Sequence, residues 1–108
     1  MDTKRFSQMS EFELQTEIAR LNEKAKKAEQ LGMMNEFAVY ERRVLMAKAY
    51  LLDPEDFKPG KTYTLIDGES IFQISYMNGH FAWGYRDNGT ALDAVPISLL
   101  ANEREGDI

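Results

Sequence analysis

Residues 36–52, EFAVYERRVLMAKAYLL, restrict the fold of this chain more than any other stretch. At helical spacing, three apolar rows run along them. Met33, Phe37, Tyr40, Val44, Ala47 and Leu51 form one. Met34, Ala38, Leu45, Ala49 and Leu52 form the second, and Val39, Met46 and Tyr50 the third, on the far side. A surface helix normally carries one apolar stripe, and one that is apolar nearly all round is covered on several sides. Burying a large side chain is worth about 1.5–3 kcal/mol, so this segment calls for at least two neighbours. Its third row is core, a contact with a partner or a second copy, or incidentally exposed surface.

The preceding residues supply one neighbour. Ser10-Glu11-Phe12-Glu13 has the form of a capping box, and a first helix is expected from there to about Leu31. Leu14, Ile18, Leu21, Ala25 and Ala28 make one narrow stripe on it, with small alanines that permit close helix approach. Gly32 suits a helix stop at positive φ. The short connection predicts an antiparallel αα-hairpin. Asp53-Pro54 ends the second helix, because proline disfavours helical geometry in the residue before it.

After Lys61 the period becomes alternating. Strands are expected at 61–66, 70–77, 80–86 and 92–96, then a helical turn at 97–100. Asn78-Gly79 predicts a two-residue type I′ hairpin that sets Met77 opposite His80 and Ile74 opposite Trp83. That register gathers Phe72, Ile74, Tyr76, Phe81, Trp83 and Tyr85 on one face. Several short strands joined by tight turns predict a small barrel. The expected architecture is α+β: an N-terminal antiparallel helical hairpin packed on a C-terminal SH3-like small β-barrel. The second helix is expected to lie between the first helix and the barrel. The expected boundaries are 1–53 for the hairpin, 54–60 for the linker turn, 61–101 for the barrel and 102–108 for a polar, frayed tail.

Charge and composition exclude several classes. At 44% hydrophobic and 29% charged residues, the chain is expected to be globular rather than disordered. It has no cysteine, hence no disulfide or thiolate metal site. No apolar run is long enough for a membrane span, and the N-terminus has no secretory apolar core, so a cytoplasmic location is expected. Residues 1–52 carry nine basic and eight acidic side chains, and residues 53–108 carry four and ten. The acidic second half repels phosphates, so nucleic acid is left only the first half.

The blocks Ser7-Gln8-Met9, TEIARLNEKAKKAEQLG (16–32), AKAYLLDPEDFKPGKTY (47–63), ISYMNGHFAWGYR (74–86) and PISLL (96–100) resemble the YfhH-type family of small proteins from Bacillus-like bacteria. The resemblance spans nearly the whole chain. It implies the hairpin plus SH3-like barrel and carries over no functional residues. Some members of that family have been called transcriptional regulators.

The lone His80 lacks neighbouring ligand residues, and no spacing fits a zinc site or a phosphate loop. Asp67, Asp87 and Asp93 fall at turns or strand ends, where Asp is favoured for backbone reasons. No catalytic, metal or cofactor-binding residues are therefore assigned, and no cofactor is expected. The expected function is a non-enzymatic protein-interaction or adaptor module, binding an unidentified protein or a second copy. Its candidate contacts are Val39, Met46, Tyr50, Tyr63, Trp83 and Tyr85. The alternative is a nucleic-acid-associated regulator using Arg20, Lys24 and Lys27 on one flank of the first helix.

Overall fold

In the computed structural model, which describes residues 4–104, Ser10 starts the first long helix as the sequence predicts. Its hydroxyl accepts from the Glu13 N–H at 3.1 Å, and Glu13 Oε1 accepts from the Ser10 N–H at 3.0 Å. Two N–H groups that a helix start leaves without partners are satisfied in this way. Helix α1 runs Glu11–Gln30. Gly32, at φ +75°, reverses the chain, with its N–H donating to the Glu29 carbonyl and the Met33 N–H to that of Ala28. This pair of bonds is a Schellman motif. Helix α2 follows at Met34–Ala49.

The contacts divide the chain between Leu51 and Leu52 into two compact units. In the first, α1 packs along α2. Leu14, Leu21, Ala25 and Ala28 of α1 are buried, as are Val44, Ala47 and Ala49 of α2. The α1 stripe is therefore the one expected from spacing, except that Ile18 is only half-buried. Helix α2 departs from expectation over its first half: Met34 and Ala38 are exposed, and Phe37 and Tyr40 only half-buried; in the row left open, Val39 is exposed. It also ends at Ala49, before the expected stop at Asp53. Asp53 instead caps a 3₁₀ turn at Pro54–Asp56 through the Glu55 N–H.

The second unit holds five strands: β1 Thr62–Leu65, β2 Ile71–Asn78, β3 Phe81–Arg86, β4 Asp93–Pro96 and β5 Leu100–Glu103. They form one antiparallel sheet in the order β4-β3-β2-β1-β5. A 3₁₀ turn at Ile97–Leu99 separates β4 from β5. These two strands are the sheet's edges among the described residues, so the ladder is open. Strand β5 corrects the reading of residues 102–108 as a frayed tail. Asn102 and Glu103 pair with Thr64 and Tyr63, and the Arg104 N–H donates to the Thr62 carbonyl. Residues 105–108 of that stretch lie outside the described residues.

The β2–β3 register is a second correction. Asn78 pairs with Phe81, so the connecting residues are Gly79 and His80 rather than Asn78 and Gly79. Gly79 has φ +60° and His80 is not in the positive region. That is the pattern of a type II′ turn, which needs a left-handed residue only at its first central position. Further along, an irregularity between Ile74 and Tyr76 inserts one residue into β2. The shift changes which residues share a face. Phe72 and Ile74 are fully buried together with Ala82, Val95 and Ile97. Tyr76 pairs with Trp83 instead and is exposed. The six aromatic and aliphatic residues expected on one face are thus divided.

Candidate interaction surfaces

Gly32 reverses the chain between two helices at a place where polar residues are the rule. Here the reversal is Leu31-Gly32-Met33-Met34. Leu31 is 64% exposed, Met34 55% and Met33 42%. One turn further along α2, Val39 is 47% exposed. These four residues make the hairpin tip apolar.

Two adjoining grooves run along the tip. One, of about 300 Å³, is lined by Leu31, Met33 and Tyr40 with Lys24, Lys27 and Glu36. The other, of about 230 Å³, lies between Val39, Tyr40, Glu36 and Asn35. Tyr40 and Glu36 belong to both. The Lys24 ammonium lies over the Tyr40 ring, 5.9 Å from its centroid, a cation–π distance that holds both side chains at the groove wall. Lys27 is in the last turn of α1, where the helix dipole favours a cation.

The basic flank is not a uniform row. Arg20 is committed to Glu17 through a bidentate pair, with Nε to Oε1 at 2.9 Å. The Arg20 guanidinium holds the Glu17 carboxyl below the usual range, with help from the Arg43 and Lys24 charges, and Glu17 raises Arg20 in return. Arg43 in turn lies over the Phe6 ring at 5.7 Å. Lys24 and Lys27 face the groove, whereas Arg20 points its charge at a neighbour of its own helix.

The other expected contact residues fall into different settings. Val39 lies on the exposed tip. Met46 and Tyr50 are half-buried, and Tyr50 meets the Phe6 ring at 6.5 Å. Tyr63 is a core residue, 4% exposed, so it is corrected as a contact. Its ring packs on Phe57 at 5.6 Å and its hydroxyl accepts from the Lys58 N–H. Trp83 and Tyr85 are half-buried. Trp83 stacks on Tyr76 with centroids 5.8 Å apart and planes 5° from parallel.

Spacing placed Met33 and Met34 in apolar rows and Tyr76 on the apolar sheet face, and did not mark them or Leu31 as exposed. The signal available for Leu31, Met33 and Met34 was the apolar character of a helix–helix turn. None was available for Tyr76, whose face depends on the inserted residue in β2.

Among the described residues, no group of three His, Cys, Asp or Glu side chains is placed to hold a metal ion. No helix among them is long and apolar enough to cross a membrane.

A family model described as "Protein of unknown function (DUF1811)" matches residues 4–101. A relative from Bacillus subtilis (strain 168), described as "Uncharacterized protein YfhH", is 59% identical over 98 residues. The match covers 90% of this chain and 94% of the relative.

Proposed function

Since the chain belongs to the DUF1811 family, a family of unknown function, we propose its role from its own surfaces: it is a non-enzymatic module that binds another protein through the tip of its helical hairpin. One observation carries this reading. Leu31, Met33 and Met34 are exposed in the short turn that closes α1, and Val39 is exposed one turn further along α2. Contiguous exposed apolar side chains mark interaction surfaces more often than scattered ones do. Methionine suits such a surface, because its flexible thioether adapts to a partner's shape.

We read the second unit as an SH3-like barrel that is open between β4 and β5. The strand order and the 3₁₀ turn ahead of the last strand support that reading. Such a unit supplies a rigid scaffold and a second aromatic surface at Tyr76, Trp83 and Tyr85. Fold likeness by itself says nothing about activity. The alternative, phosphate binding through Arg20, Lys24 and Lys27, has less support, because Arg20 is already paired with Glu17.

A photo-crosslinking residue at Val39, expressed in native cells, tests the proposal. Discrete protein adducts are expected there and not from the same residue at exposed Glu69, in the β1–β2 turn. Leu31→Ser should abolish the Val39 adducts while leaving the fold intact, since an exposed position costs within about 0.5 kcal/mol. Identical adducts at both positions, or none at Val39, would overturn it.

A further inference from the structure

Resting on the reading of the tip as a binding surface, we infer that its occupant is an acidic amphipathic helix of a partner protein, laid into the groove between α1 and α2. The hairpin is a two-helix layer whose groove at this end has one apolar wall and one cationic wall. Leu31, Met33 and Tyr40 supply the apolar wall, and Lys24 and Lys27 the cationic one. A third helix covers such a groove with one apolar stripe. The two ammonium groups select the sign of the side chains that flank that stripe. Carboxylates on the flank facing α1 meet Lys24 and Lys27. A lysine-flanked helix meets the same two charges as repulsion.

Glu36, in the first turn of α2, lines the groove as well. The arrangement therefore reads polarity across the groove: acidic side chains belong on the α1 side, and a cation or neutral group belongs beside Glu36. Lys24 is already positioned by its place over Tyr40, so less side-chain freedom is lost when it pairs. A nucleic-acid occupant fits worse, because phosphates gain nothing from Leu31, Met33 and Met34.

Two labelled helical peptides of about four turns test the inference. Both carry leucines at the same positions, one with flanking glutamates and the other with lysines. Fluorescence anisotropy with the full chain should show the acidic peptide binding at least about tenfold tighter. Lys24→Glu with Lys27→Glu should invert that preference. Leu31→Ser with Met33→Ser should weaken the acidic peptide by about tenfold or more, with circular dichroism unchanged.

The inference is overturned if neither peptide binds, if the lysine peptide binds as well as the acidic one, or if the charge reversal changes nothing. Sedimentation of the wild type, but not of Leu31→Ser, with phosphatidylglycerol vesicles would assign the tip to a membrane surface instead. Light scattering that shows a dimer lost in Leu31→Ser would assign it to a second copy. Val39 adducts with a protein that lacks an acidic helix would leave the interaction reading standing and end this one.

Discussion

Gly84 of β3 lies so close to Gln73 of β2 that a Cβ built on it would stand 1.8 Å from the Gln73 carbonyl oxygen. The same atom would stand 2.9 Å from the Gln73 carbonyl carbon and 3.1 Å from Ile74 Cα. All three are backbone atoms, which cannot swing aside as a side-chain end does. Gly84 pairs with Ile74 beside the inserted residue of β2, and a glycine there permits this close backbone approach. Gly84→Ala should therefore destabilise the chain by about 3 kcal/mol. Urea unfolding gives the value, and a loss below about 1 kcal/mol would show that the strands are not this close in solution.

The Gly79-His80 turn makes a sharper test of register. Gly79 alone needs a left-handed backbone there, at φ +60°. Gly79→Ala should cost about 1–2 kcal/mol, and Asn78→Ala much less, since Asn78 is an ordinary strand residue paired with Phe81. If the turn were instead Asn78-Gly79 in type I′ form, both substitutions would be costly. Thermal midpoints of the two variants side by side separate these cases.

What the sequence disclosed and what it concealed divide along the distance between interacting residues. The Ser10–Glu13 box and the Gly32 reversal depend on residues a few positions apart, so their chemistry is readable in order along the chain. The α1 stripe is readable for the same reason. The β2–β3 register depends on where β2 accommodates an extra residue, and that is decided by the partner strand and by Gly84. Asn102 and Glu103 are polar, and only their pairing with Thr64 and Tyr63 makes them a strand. The apolar circumference of α2 signalled burial all along the helix. It was right for Val44 and Ala47 and wrong for Met34, while Val39, in the row left open between core and surface, is exposed; spacing does not record how far along a helix its neighbour reaches.

Trp83 is the single tryptophan, so its fluorescence reports on the outer aromatic surface of the sheet alone. Tyr76 covers one side of its indole in a near-parallel stack. Tyr76→Ala should shift the emission to longer wavelength by exposing that side. It should cost only about 1 kcal/mol, because Tyr76 is itself exposed and the stack is a modest interaction. An unchanged spectrum would mean that the two rings do not stack in solution.

Acid should weaken the fold through carboxylates that the folded chain holds in their charged form. Asp67 is one: Oδ1 accepts from the Glu69 N–H at 2.8 Å and the Ser70 N–H at 2.9 Å. These backbone donors, Ser70 first, hold its pKa below the ordinary 3.8. The Lys4 ammonium and the Ser10 N–H do the same for Glu13, and Arg20 does so for Glu17. A carboxyl with a depressed pKa in the folded state contributes stability that is fully present above its unfolded value. That stability is lost as the pH falls through the folded value. Asp67→Asn keeps an oxygen acceptor and removes the titration. The wild type should therefore be the more stable at neutral pH, by a small margin because the site is exposed. The two should converge as the pH falls below about 3.8, the ordinary value for this group. Urea midpoints measured for both proteins down a pH series give the comparison, and a gap that widens on acidification would contradict the assigned sign.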